Sequence, residues 1–404
     1  MIAEITIQNF KSFRQISLRL GQMNLFIGTN ASGKTNFFDA LRVLQGIGYG
    51  FTVHEIFDGK PKSATSIEWQ PVRGGSVLAR YRNGGQAEEN VFLNVKLRRK
   101  NHLLPDLTYS IWLNPVTGRI NDERLAEGER MIYEGAHNDA SSPVLSVKYN
   151  RPTGKGKKPH WDFERSRPVL AQFAKKKPSE EDAAAAEETS EALGDMQRLD
   201  PQPELLRSYS QAQQIERMGE RGENMAALVK AISQNPQKKE ALMAWLQELR
   251  PDEIEDVLTL SGALGEPLFA LKEQGKEFPA PVLSDGTLRF AAIAAAFLQP
   301  DMPGILTIEE IEKGIHDSRL RLVLELLKSQ SRRGEVQVMA TTHSRSVLNW
   351  LEEEDFRKTF HCHRDTETGE SRIVPLSEVP HFNEAVRGTP LPDLFAENWL
   401  EAAV

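Results

Sequence analysis

The chain has 404 residues, 50 Lys and Arg against 57 Asp and Glu, a formal net charge of −7 and one cysteine, Cys362. A lone cysteine forms no internal disulfide and builds no thiolate zinc ribbon, and no apolar run approaches the ~20 residues that span a bilayer. The first residues lack the basic and apolar segments of a signal peptide, so a cytoplasmic location is expected. The mildly acidic balance leaves any nucleic-acid binding to local patches.

Mostly alternating apolar residues at Ile2, Ile5 and Ile7 predict a first strand, and Ile16, Leu18 and Leu20 a second. Residues 23–27 are a short apolar run suited to a buried parallel strand. A glycine-containing loop follows, then a helix over 34–44 with Phe37, Phe38, Leu41 and Leu44 at helical spacing. Short β-type runs at 66–69, 77–81, 91–97 and 107–112, separated by turns such as Arg82-Asn83-Gly84-Gly85, predict an antiparallel sheet. Composition then shifts. Residues 151–177 are basic, with Lys155-Gly156-Lys157-Lys158 and Lys175-Lys176-Lys177, and 179–195 are acidic and alanine-rich; neighbouring blocks of opposite charge are expected to be exposed. Helical spacing covers about 203–260. From about 281 the chain alternates again, with strand 304–308, helix 320–327, strand 335–340 and helix 344–351, a second α/β half closing the sheet opened by the first. The expected organisation is an N-terminal lobe over 1–150, a charged and helical insertion over 151–280 and a C-terminal lobe over 281–404.

Gly28-Thr29-Asn30-Ala31-Ser32-Gly33-Lys34-Thr35 fits the phosphate-loop pattern G-x-x-x-x-G-K-[ST], with an apolar strand before it and a helix after it. Gly28 and Gly33 let the backbone turn so that successive N–H groups face one phosphate. The following helix contributes its positive dipole end. Lys34 supplies a mobile cation to the β- and γ-phosphates, and the Thr35 hydroxyl is a hard oxygen suited to Mg²⁺.

Residues 304–308 form an apolar strand ending in Glu309 and Glu310. Ligands of a parallel sheet bind beyond the carboxyl ends of its strands, and successive side chains point to opposite sides. Glu309 is therefore expected to hold the Mg²⁺ shell and Glu310 to face the γ-phosphate and polarise the attacking water. Glu312 reads as a surface or structural residue.

These residues resemble the ABC-type head ATPases of the SMC, RecF and OLD kind, known as AAA-family ATPases of bacterial defence systems. The motifs match in order: Ile5 to Phe13 is similar to that group's first strand, and Gly28 to Asn36, with Asn30 and Asn36, to its phosphate loop. Arg221-Gly222-Glu223-Asn224 is similar to a helix-start motif, and Leu283-Ser284-Asp285-Gly286-Thr287 to the signature. Glu309 to His316 is similar to an extended Walker B motif, and Thr341-Thr342-His343-Ser344 to the switch-histidine loop. The resemblance implies an ABC-type P-loop head with an antiparallel β lobe and a helical, charged insertion, using ATP and Mg²⁺. It assigns nucleotide contacts to Gly28, Asn30, Ser32, Gly33, Lys34, Thr35 and Asn36, and metal contacts to Thr35 and Glu309. Catalysis falls to Glu310 and His343, the histidine either hydrogen-bonding the γ-phosphate or orienting the water. Ser284 and Gly286 are assigned to the nucleotide of a second subunit, which implies a head-to-head homodimer or higher oligomer. Glu309 stands where classical ABC proteins carry aspartate, and Ile311 replaces the usual proline. Asp285-Gly286-Thr287 departs from the transporter form, which favours the RecF and OLD branch.

The basic segment 151–177 includes Trp161 and Phe163 and is open to three readings: DNA or RNA contact, a protein-partner surface, or a solvated insertion. His361 and His363 share one face of an expected strand, too few ligands for a metal site. From the length, no appended nuclease domain is expected. The function implied is an ATP hydrolase that controls a separate co-encoded effector, such as a nuclease, in anti-phage defence. The alternative is a RecF-like DNA-binding repair or chromosome-maintenance ATPase.

Overall fold

In the computed structural model, residues 1–63, 66–83, 86–136, 142–152, 158–365 and 367–403 are described. The chain divides into two units that interleave in sequence. The first comprises Met1–Gly21, Gly28–Met196 and His361–Val374, the second Gln22–Ile27, Gln197–Phe360 and Pro375–Val404.

An antiparallel sheet dominates the first unit, in the order His160–Glu164, Val144–Tyr149, Arg130–Gly135, Arg119–Glu127, Leu107–Asn114, Val91–Leu97, Ile2–Phe10, Phe13–Arg19. Side chains of a strand alternate between faces, and the burial follows. Val91, Leu93, Val95 and Leu97 are buried, as are Leu107, Tyr109, Ile111 and Leu113. Register sets these rows opposite one another, Leu93 against Ile111 and against Ile7. Each aliphatic side chain so buried contributes roughly 1.5–3 kcal/mol.

Three expectations are corrected in this unit. Residues 75–78 form a short helix instead of a strand, because Gly74 and Gly75 both take positive φ, 82° and 59°, and turn the chain out of the extended form. The acidic stretch is the ordered helix Glu180–Gly194. Ser179 caps it, accepting from the Asp182 N–H at 3.3 Å, and Asp182 is buried against Tyr149 Oη and Arg130, each at 2.7 Å. Ala185, Ala186, Thr189 and Leu193 are also buried, while Glu180, Glu181 and Glu187 face outward. Its end meets helix Lys34–Gly48 so closely that a methyl on Gly48 would lie 2.3 Å from the Gly194 nitrogen. The third correction concerns the basic block. The boundary expected near residue 150 falls between paired strands, with Leu145 opposite Phe163 and Val147 opposite Trp161. Trp161 stacks on Tyr149 at 4.4 Å and Phe163 is 3% exposed, so the sheet uses these aromatics itself. Lys155 and Lys157, like the turn glycines Gly84 and Gly85, lie outside the described residues; Lys158 is exposed.

The second unit is built on parallel pairing. Ile305–Ile308 pairs with Gln337–Thr342, which pairs in turn with Met23–Ile27. Nearly every side chain on these strands is buried, as a parallel sheet covered on both faces requires. Helix Asp285–Ala296 is buried from Thr287 onward and helix Leu320–Arg332 buries one stripe. The helical expectation over 203–260 holds only in part: helices Met225–Ser233 and Pro236–Leu249 are followed by the antiparallel strands Ile254–Ser261, Pro267–Glu273 and Lys276–Pro279. Pro251 stops the helix, and β-branched Ile254, Val257 and Thr259 favour the extended form that follows. Among the described residues no helix is long and apolar enough to cross a membrane.

One buried charge centre makes the first unit sensitive to pH. The Glu123 carboxylate accepts from Tyr133 Oη at 2.9 Å and from the N–H groups of Val169 and Leu170 at 2.7 and 2.8 Å. Burial outweighs these donors and pushes its pKa up to about 7. A carboxyl that holds its proton in the fold but releases it in the unfolded chain stabilises the fold fully below its ordinary value of 4.5 and loses that contribution as pH rises to about 7. Urea midpoints of the wild type are therefore expected to fall across this window, and Glu123→Gln should flatten the fall. Parallel pH profiles for the two proteins would contradict this assignment.

Candidate nucleotide site

The phosphate loop belongs to the first unit. Gly28 has φ 152°, and a Cβ there would sit 2.2 Å from the Cys362 carbonyl oxygen. Gly33 has φ 110°, and its Cβ would sit 2.6 Å from Ser371. Both positions thus need glycine for conformation and for space. Lys34 is 8% exposed, its ammonium donating to the carbonyls of Gly28 at 2.6 Å and Thr29 at 2.8 Å, with Ser32 Oγ at 3.5 Å. These contacts lay the cation along the inner rim of the loop. Asn36 reaches Ser12 Oγ at 2.7 Å, and the Thr35 carbonyl accepts from Arg73 at 2.9 Å, so the start of the helix is braced from two sides. Asn30 is exposed and Ser32 is buried. Helix Lys34–Gly48 starts with no side-chain cap and no acidic residue in its first turn. Its dipole and first N–H groups suit an anion. With the Lys34 ammonium and the Thr35 hydroxyl, this donor set fits a nucleotide phosphate and its Mg²⁺.

The carboxylates belong to the second unit. Glu309 forms an ion pair with Arg198 at 3.0 Å, and Arg198 also pairs with Glu220 at 3.0 Å. Glu310 takes a left-handed φ of 49°, and Thr341 Oγ1 accepts its N–H at 2.9 Å. The Ile311 N–H donates to the Thr341 carbonyl at 3.1 Å. The histidine loop is thereby stitched to the acidic turn. His343 pairs with Glu312, Nδ1 to Oε1 at 2.8 Å, and its backbone N–H donates to the same oxygen at 2.9 Å.

Ser284 opens the signature helix as its cap, with Oγ accepting from the Thr287 N–H at 3.2 Å. A Cβ on Gly286 would lie 2.7 Å from the Gly314 carbonyl oxygen, so the helix rests directly on the acidic turn. One turn further, Arg289 is fully buried. Its guanidinium donates to Asp200 Oδ1 at 3.0 Å, to the Pro201 carbonyl at 2.7 Å, and to the carbonyls of Glu309 and Glu310 at 3.3 and 3.2 Å. Motif spacing did not single out Arg289, Arg198 or the role of Glu312. An arginine inside an otherwise apolar helix was the available signal for the first. The other two are brought in by partners distant in sequence.

His361 and His363 stack in the first unit, 5.4 Å between ring centroids. Burial, the neighbouring His363 and the Lys34 charge push His361 down to about 3, and burial pushes the Cys362 thiol up to about 12. Among the described residues no group of three or more His, Cys, Asp or Glu is placed to hold a metal.

A glycine loop that opens a helix, followed in chain order by carboxylates at a parallel strand end, is the pattern of a P-loop ATPase. Comparison with known families gives the same class. Residues 139–349, more than half of the chain, match the family described as AAA domain, putative AbiEii toxin, type IV TA system, and the chain belongs to that family. Residues 1–68 match the family described as AAA ATPase domain. Over 93 residues the chain is 31% identical to an ATP/GTP phosphatase of Helicobacter pylori, a match covering 22% of this chain and 25% of that protein. The fold is similar to an SMC head solved with the C-winged helix domain of ScpA, with a TM-score of 0.52 at 14% identity, over 92% of this chain and 97% of that one. An SMC head domain from Thermotoga maritima aligns with a TM-score of 0.45 at 13% identity, over 93% and 98% of the two chains.

Two expected outcomes follow from the geometry. Lys34→Ala should weaken ATP binding about 10- to 100-fold, the size of one or two charge-assisted hydrogen bonds; unchanged affinity in titration calorimetry would contradict the loop assignment. Arg289→Ala removes a buried donor from Asp200 and from the carbonyls of Pro201, Glu309 and Glu310, and should cost roughly 3–5 kcal/mol in urea unfolding, as removal of one member of a buried charged network does.

Proposed function

We propose that this chain binds ATP·Mg²⁺ and hydrolyses it within a head-to-head dimer, and that dimer closure controls a separate effector protein in anti-phage defence. The phosphate loop carries the nucleotide part of this reading: the Lys34 ammonium lies on the loop rim above a helix start with no side-chain cap. The chain enters that loop at Gly28, one residue past Ile27, whose register partner on the parallel strand is Thr342. In the proposed reaction Lys34 and the loop N–H groups bind the phosphates. Thr35 and Glu309 would hold Mg²⁺, which neutralises charge on the phosphate oxygens. Glu310 polarises the attacking water, and its left-handed backbone, locked by Thr341 and Arg289, fixes where its carboxylate starts. The catalytic contribution is positioning and electrostatics throughout.

The dimer part is supported by Ser284 and Gly286 at a solvent-facing helix start, seated on the acidic turn through Gly314 and through Arg289. A nucleotide of a second subunit pressing on that helix start would be felt at the backbone of Glu309 and Glu310. The effector part rests on the family of toxin–antitoxin type to which residues 139–349 belong.

Glu310→Gln should bind ATP with near wild-type affinity and lose about 100-fold or more in turnover, the usual contribution of a positioned general base. The same variant should sediment as a dimer with ATP and as a monomer after Ser284→Arg is added. Wild-type turnover in Glu310→Gln would overturn the base assignment. ATP-independent sedimentation would overturn the dimer. Salt-sensitive duplex binding lost on neutralising Lys155, Lys157 and Lys158 would favour a DNA-binding role in place of effector control.

A further inference from the structure

Glu312 sits two residues past the proposed base, and its side chain is only 10% exposed. Its Oε1 accepts twice from one residue, from His343 Nδ1 at 2.8 Å and from the His343 backbone N–H at 2.9 Å. Its Oε2 is buried and has no hydrogen-bond partner among the described residues. A buried carboxylate oxygen without a partner is costly, and such a group is retained where its charge has a use. The turn that carries Glu312 is rigid: the Lys313 N–H donates to the Glu310 carbonyl at 2.9 Å and the Ile315 N–H to the Glu312 carbonyl at 3.0 Å. On the other side, the Ser344 N–H donates to Thr342 Oγ1 at 3.0 Å, which fixes the loop just after the histidine.

We infer that Glu312 is a positioning residue for hydrolysis, acting through His343. A carboxylate on Nδ1 holds the ring proton there and leaves the lone pair on Nε2, because the two nitrogens of a neutral imidazole take opposite roles. The His343 side chain is 44% exposed, so the ring reaches out from the turn while its other edge is anchored on Glu312. An Nε2 lone pair accepts a hydrogen bond; it does not donate one to a phosphate oxygen. This selects one of the two roles open to His343: it orients the attacking water beside Glu310. Glu312 thus sets which atom of the histidine faces the reaction, and the double acceptance from ring and backbone fixes the ring's direction as well as its tautomer.

The inference rests on the ATPase reading above, and its test separates the two. In ¹⁵N-histidine spectra at pH 8, His343 should show the Nδ1–H tautomer in the wild type and in Glu310→Gln, and a mixture in Glu312→Ala. This readout needs no turnover, so a wild type that fails to hydrolyse ATP would sink the function and leave the tautomer result standing. In steady-state assays Glu312→Ala should lower kcat about 10- to 100-fold with KM for ATP within about threefold, the range of one misplaced hydrogen-bonding group. Glu312→Gln, which keeps an acceptor oxygen and the shape, should recover part of that loss. Glu312→Ala combined with His343→Ala should be no slower than His343→Ala alone. Wild-type kcat in Glu312→Ala, an Nε2–H tautomer or an imidazolium in the wild type, or additive losses in the double variant would each overturn the inference. If Glu312→Ala unfolds, the glutamine variant and the wild-type spectrum still decide it.

Discussion

The parallel pairing of Ile305–Ile308 with Gln337–Thr342, and of the latter with Met23–Ile27, is the constraint from which the candidate site follows. Parallel strands run in one direction, so their carboxyl ends share one edge of the sheet. Ile308 is in register with Ala340 and Thr342 with Ile27, so the acidic turn and the histidine loop leave that edge within two residues of each other. The backbone bonds from Glu310 and Ile311 to Thr341 are possible only in this register. A slip by one residue would swap the side chains of the moved strand between the two covered faces and mismatch the packing on both. Hydrophobic burial on both faces of the strands therefore holds the polar groups in place.

The buried cations of the fold are held by fixed partners. Arg289 buries a full charge in an alanine-rich helix, and its partners are one carboxylate and three backbone carbonyls. Removing such a charge from water costs several kcal/mol, which good hydrogen-bond geometry offsets. The same logic holds for Lys34 on the loop carbonyls. Glu123 is the counter-example: three donors surround it, yet burial wins and the proton stays on near neutrality. Whether a buried carboxyl such as Glu123 is charged depends on how far donors offset desolvation.

Much of the fold was legible from local patterns. Alternation at 91–97 and 107–112 corresponds to strands with alternating burial, and the run at 23–27 corresponds to a strand buried on both sides. The misreadings share one cause, a segment whose local chemistry was overruled by what packs against it. The acidic stretch looked solvated, yet its alanines and Asp182 are the side that meets Tyr149, Arg130 and the neighbouring helix. Trp161 and Phe163 were open to three readings, and in the fold Phe163 is buried and Trp161 stacks on Tyr149. Glu312 read as a surface or structural residue, and its tie to His343 is invisible locally because that partner is 31 residues away in the chain.

The amino-acid sequence by itself carried the motifs of a P-loop ATPase. The loop glycines, Lys34, Thr35 and the strand-terminal carboxylates are contiguous motifs, and contiguous geometry is set by local backbone freedom. With one cysteine these residues form no internal disulfide, and they contain no apolar run of bilayer-spanning length. Only the tertiary structure decided which carboxylate holds the histidine, which arginine ties the signature helix to the acidic turn, and which charged segment is packed instead of solvated. Those choices depend on contacts between residues far apart in the chain, and such contacts exist only once the strands have been brought into register.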